Sequence, residues 1–208
     1  NITAGVDRIE THGVSGIIAI DKSGKAHAIS PSLGLLLYQE SNTPVKIEKG
    51  DQIKWVAGIT FIQINGKLNI AKTKEDRPTS AIDQKRLNQQ INEAGKIQKI
   101  ETNSNMLLVL YEGKIKPKAF SLLDNAFTEL PDQGIPEKII DTVSGGTTDI
   151  GVIVEHGGRK RLNLIRNQGR NIQTNTKIGQ EMRDATNFTS TGSLPIGTDK
   201  TGKIVLPR

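Results

Sequence analysis

The stretch Ile17-Ile18-Ala19-Ile20-Asp21-Lys22-Ser23-Gly24-Lys25-Ala26-His27-Ala28-Ile29 decides how the chain is read. An unbroken apolar run leads into Asp-Lys-Ser-Gly-Lys, and a second, mostly apolar segment leads out of it. Glycine supplies the positive φ that a tight reversal needs, so the pattern predicts a β-hairpin turning at Gly24. Residues 17–20 are apolar at every position, which suits a strand buried on both faces.

The pattern recurs outward from this point. Val6-Asp-Arg-Ile9 precedes the hairpin and completes a first copy. A second copy reads Ile53-Lys-Trp-Val56, Phe61-Ile-Gln-Ile64, the turn Asn65-Gly66-Lys67 and Leu68-Asn-Ile70. The third has Ile97-Gln-Lys-Ile100, Met106-Leu-Leu-Val-Leu110, Tyr111-Glu-Gly113-Lys114 and Ile115. The fourth has Ile140-Asp-Thr-Val143, Ile150-Gly-Val-Ile-Val154, His156-Gly157-Gly158-Arg159 and Leu162-Asn-Leu164. A fifth keeps the turn, Asp199-Lys-Thr-Gly202-Lys203-Ile204-Val-Leu206, behind an unclear leading strand. The turn glycines Gly24, Gly66, Gly113, Gly158 and Gly202 stand 42, 47, 45 and 44 residues apart. Such even spacing marks an internal repeat of about 44 residues. The units fall at 1–44, 45–90, 91–134, 135–177 and 178–208.

Weaker strand signals fill the connectors, at 33–37 and 45–47 and again at 120–123 and 127–130. Four short strands per unit is the arithmetic of a β-propeller blade. Residues 83–94 differ: Leu87, Ile91 and Ala94 fall at helical spacing, which predicts a short helix replacing an outer strand of the second unit. Gly5 lies outside the hairpin turns, so a side chain there is expected to cost little.

The succession of apolar hairpin, glycine-lysine turn and polar connector resembles the blades of RCC1-like and related propellers along the whole chain. The strand arithmetic and the resemblance point to an all-β fold, a small five-bladed β-propeller or an arc of a larger one, to which the helical spacing adds one short helix near 83–94. It further implies a rigid disc whose loops bind partners. The family's aromatic-Gly ending after the second strand is absent, and nothing matches its guanine-nucleotide-exchange loop.

Composition narrows the chemistry. The 208 residues include no Cys, which excludes disulfides, a thiol nucleophile and thiolate-held metals. No apolar run approaches the roughly 18 residues of a membrane span, so membrane insertion is not expected. The chain opens Asn1-Ile2-Thr3, without Met, and is read as processed or excised from something longer. Its 28 Lys+Arg against 22 Asp+Glu leave a net charge of +6, which favours acidic partners. Most lysines are dispersed, but Arg159, Lys160, Arg161, Arg166 and Arg170 cluster on an alternating segment. A basic strand holds carboxylates or phosphates by charge-assisted bonds, and these five residues are the candidate binding site.

Three other signals carry less. The loop Ser144-Gly145-Gly146-Thr147-Thr148-Asp149 is similar to the second phosphate-binding loop of actin and Hsp70-like ATPases, so Gly145 to Asp149 define the alternative, a phosphate- or nucleotide-handling enzyme. The basic segment lacks interleaved aromatics, so nucleic acid is the less favoured partner. His12, His27 and His156 share no metal-binding spacing, and the pairs Asp7 with Glu10 and Glu75 with Asp76 span no substrate gap. Trp55, Tyr38 and Tyr111 are too dispersed for sugar stacking in each repeat, and Trp55 reads as core. The sequence therefore points to a non-catalytic binding or structural module with no metal and no cofactor. Its expected partner is an acidic protein or glycan, and its expected setting an attachment or assembly domain of a virion, phage tail or cell surface.

Overall fold

The computed structural model describes residues 2–12, 16–30, 33–56, 58–74, 84–103, 105–113, 115–122, 127–130, 139–144, 149–156, 159–168, 171–175, 185–191 and 194–205. Among them the chain is all-β apart from one helix, and the strands form five antiparallel sheets that follow one another in sequence. The first sheet is β1 (Val6–His12), β2 (Gly16–Asp21), β3 (Ala26–Ser30) and β4 (Gly34–Leu35), in that order. The second contains β5 (Leu37–Tyr38), β6 (Gln52–Val56), β7 (Ile59–Ile64) and β8 (Lys67–Lys72), ordered β5-β8-β7-β6. After the helix α1 (Gln84–Asn92) comes the third, a meander of β9 (Ile97–Thr102), β10 (Met106–Tyr111), β11 (Lys118–Ser121) and β12 (Thr128–Glu129). The fourth is β13 (Ile139–Ser144), β14 (Asp149–His156), β15 (Arg159–Gln168) and β16 (Asn171–Asn175). The fifth is β17 (Ala185–Thr191), β18 (Leu194–Asp199) and β19 (Ile204–Val205). None of these sheets closes into a barrel among the described residues.

Strand periodicity explains how the sheets stack, because alternate side chains leave a strand on opposite faces. Ile18 and Ile20 of β2 pack in one cluster with Ile53, Ile62 and Ala71 of the second sheet. One residue along β7, Phe61 faces the other way and joins Leu107, Val109 and Tyr111 of β10 and Phe120 of β11. The remaining positions of β10, Met106, Leu108 and Leu110, meet Ile150, Val152 and Val154 of β14. All six residues of β10 are buried, as an apolar run covered on both faces requires. The run at 17–20 departs from this: Ile18, Ala19 and Ile20 are buried, but Ile17 is not. The leading strands also lie side by side in chain order, β1 by β6, β6 by β9, β9 by β13 and β13 by β17.

The expected helix forms, but it does not take the outer place in the second sheet. That place goes to β5, whose Leu37 and Tyr38 pair with Lys72 and Ala71 of β8. β5 comes from within the first repeat unit, so the segment 33–38 is shared between two sheets. The helix instead turns Leu87 and Ile91 into the core between the second and third sheets. Beyond the end of β5, its Asn92 carboxamide mimics a strand. Asn92 Oδ1 accepts from the Leu68 amide at 2.8 Å, and Asn92 Nδ2 donates to the Leu68 carbonyl at 3.0 Å. Segment 45–47, read as a strand, makes one isolated bridge, Lys46 with Lys25, while burying Val45 and Ile47.

Gly24, Gly66, Gly113 and Gly202 all have positive φ, between 75° and 83°, as their turns demand. Gly5 corrects the expectation of tolerance, for its φ is 74° as well. Its conformation is set by a tertiary contact: the Lys22 amide donates to the Gly5 carbonyl at 3.1 Å.

Candidate functional site

The polar residues of the leading strands are used between sheets. Glu101 of β9 is buried, and its Oε1 takes Lys54 Nζ of β6 at 3.2 Å while its Oε2 accepts from Thr142 Oγ1 of β13 at 2.9 Å. The Thr102 amide adds a third bond to Oε1 at 3.2 Å. On the same strands Lys99 Nζ reaches Asp141 Oδ1 at 2.7 Å, and Gln52 Oε1 accepts from the Ile100 amide at 2.8 Å. A buried carboxylate persists when a cation and several donors satisfy it. Glu101 meets that condition by joining three sheets, so its chemistry is that of a tie. At the first sheet Arg8 stands between Glu10, at 2.8 Å, and Asp7, at 3.5 Å, and this pairing stays within β1.

A second polar centre lies in the turn from β2 to β3. Asp21 Oδ1 accepts from Ser23 Oγ at 2.6 Å and from the amides of Ser23 and Lys25 at 2.8 and 3.0 Å, while Oδ2 meets His27 Nε2 at 2.8 Å. The Ser23 hydroxyl and His27 hold the Asp21 carboxyl well below the usual carboxylate range, and the two amides reinforce them. Asp199 repeats the device between β18 and β19, accepting from Thr201 Oγ1 at 2.7 Å and from the amides of Thr201 and Lys203 at 2.8 and 2.9 Å. Its carboxyl is lowered too, chiefly by the Thr201 hydroxyl. His27, which sequence spacing left without a partner, therefore has a carboxylate beside it. The Ser23 hydroxyl binds Asp21, not the imidazole, so the three side chains do not form a nucleophilic relay. The legible signal was Asp followed two residues later by Ser or Thr and four later by Lys, an Asx-turn spacing present in both copies.

The backbone of β15 carries Arg159, Lys160, Arg161 and Arg166 in one extended run. β14 pairs with this strand from Arg159 to Arg166, whereas β16 pairs only from Leu164 to Gln168, so Arg166 lies between two strands and Arg159, Lys160 and Arg161 have a described partner strand on one side. The side chains of these four residues, and the whole of Arg170, lie outside the described residues. So do Gly145 to Thr148 of the alternative phosphate loop, which joins the antiparallel neighbours β13 and β14, and Glu75 and Asp76. The side chains of His12 and His156 are likewise outside. Trp55 is half-buried on β6, not part of the core. Tyr111 is buried; burial pushes its hydroxyl above the usual phenol range, and that hydroxyl donates to the Ile91 carbonyl of α1 at 3.0 Å.

An open hollow of about 560 Å³ is lined by Glu40, by Lys85, Asn88 and Gln89 of α1, and by Glu93 just beyond it. Carboxylates and a lysine share it. Among the described residues no helix is long and apolar enough to cross a membrane, and no cluster of three or more metal-binding side chains occurs. No protein-family model matches the chain, and no curated protein shows significant similarity to it.

Proposed function

We propose that the chain is a non-catalytic binding module of propeller type, with its sheets as blades set around the line of β1, β6, β9, β13 and β17, and that β15 docks an acidic protein or glycan. The observation that carries this reading is how the leading strands spend their charges. Lys54, Glu101, Lys99 and Asp141 are paired from one sheet to the next. A stack tied in this way is a rigid frame, and rigid frames present loops and strand faces to partners at low entropic cost. The supporting feature is the run Arg159-Lys160-Arg161 with Arg166 on one continuous strand, against lysines dispersed elsewhere. In this reading the module serves attachment or assembly.

Retention on immobilised heparin, a model acidic glycan, tests the docking strand. Replacing Arg159, Arg161 and Arg166 together by Ser removes three positive charges, and so does replacing Lys22, Lys49 and Lys67. The arginine variant elutes at clearly lower salt than the lysine variant if the cluster acts as a unit. Equal shifts would mean that net charge alone governs retention, and the β15 site would be abandoned.

A further inference from the structure

The stack has two ends, and they differ in kind. At each internal junction a forward face, such as Ile18 and Ile20 of β2 or Met106, Leu108 and Leu110 of β10, meets the backward face of the next sheet, such as Ile62 of β7 or Val152 and Val154 of β14. The first sheet offers its forward face to the second, and among the described residues no sheet packs on its backward face. That face carries exposed isoleucines beside the Asp21–His27 pair. Register sets Ile9 opposite Ala19 and Thr11 opposite Ile17, which places Ile9 and Ile17 on that face, and Ile29 lies at the register irregularity where β3 passes from Ala28 to Ser30. Ile9, Ile17 and Ile29 are 67%, 38% and 43% exposed.

The fifth sheet shows the converse. Gly197 of β18 is buried, and the fourth sheet is its neighbour through β13 and β17. Thr198, one residue on, stands opposite Ile204 of β19, and Ile204 is 61% exposed. This is the forward face, the half that every backward face in the stack receives. Among the described residues the isoleucines at both ends are open to solvent. Exposed apolar patches rimmed by polar residues mark association surfaces.

We infer that the backward face of the first sheet takes the forward face of the fifth sheet of a second copy of this chain. The contact continues the sheet-on-sheet interface already repeated inside the molecule. It is head-to-tail, so copies form a closed ring where the rotation between them divides a full turn and a filament where it does not. The inference rests on the stack alone and stands whether or not β15 retains heparin.

Sedimentation of the full chain across a concentration series tests it. The wild-type protein sediments as whole multiples of 22.6 kDa and dissociates on dilution. Ile17→Lys blocks one end and Ile204→Lys the other, and each variant sediments at 22.6 kDa with the wild-type melting temperature. Mixed together, these two variants give a 1:1 dimer, because each still offers the face that the other lacks. Ile9→Lys, at the most exposed of the three positions on the first sheet, replaces Ile17→Lys if that variant melts early. A wild-type monomer at every concentration, an oligomer that survives either substitution, or a mixture that stays monomeric would each overturn the inference.

Discussion

A β-carbon on Gly113 would meet nothing within 4 Å, so a side chain there costs only what the backbone charges. At φ 80° an L-residue loses about 1–2 kcal/mol. Gly66 adds a steric cost, since its β-carbon would overlap Cγ of Lys96, whose amine pairs with Glu112 at 3.0 Å. Gly5 combines a positive φ with room against the flexible Lys22 side chain. Urea unfolding should show Gly113→Ala and Gly5→Ala each losing about 1 kcal/mol, with Gly66→Ala losing more. A neutral Gly5→Ala would show that the backbone before β1 relaxes around the substitution. The turn glycines were legible because their neighbours announce a hairpin. Gly5 was not, because nothing local to it reveals the Lys22 amide that fixes its conformation.

At the scale of elements, the two Asp turns make the clearest claim on solution behaviour. A carboxyl whose folded pKa lies below its unfolded value stabilises the fold in full above about pH 4. That contribution drains away as pH falls through the folded value. Asp21 and Asp199 are both lowered, so both weaken the fold on acidification in this direction. Asp21→Asn with Asp199→Asn should therefore reduce stability at neutral pH and flatten its decline below about pH 4. Denaturant melts at several pH values between about 2 and 7 check this; a slope unchanged in the double variant would remove the turns from the acid response. The longer strands were readable from apolar runs, because burial on both faces leaves no polar alternation to blur them. A two-residue strand such as β5 has no period to read. Nor can spacing reveal that Asn92 of a helix pairs with the backbone of Leu68. The basic segment was legible as a strand, and its pairing with β14 along most of its length and with β16 only from Leu164 onward is not encoded in composition.

For the molecule as a whole, the repeat predicts mutual dependence, and the core shows its form. Each cluster draws residues from two neighbouring sheets, so none of the first four sheets buries its apolar positions alone. Removing residues 1–44 takes away the first sheet and β5 together. It uncovers Ile53 and Ile62, which are 3% and 0% exposed, and frees the outer edge of β8. Fully burying one such side chain is worth roughly 1.5–3 kcal/mol, and Ala71 adds a smaller share. Small proteins hold only about 5–15 kcal/mol in total, so the loss takes a large part of the stability before the broken strand pairing is counted. The Lys54–Glu101 and Lys99–Asp141 ties survive the truncation but join only sheets that remain. The shortened chain should therefore aggregate or melt broadly, well below the full-length temperature. A single cooperative melt at that temperature, followed by circular dichroism, would show instead that the sheets after the first fold independently of it, and the stack would then be a string of separate units.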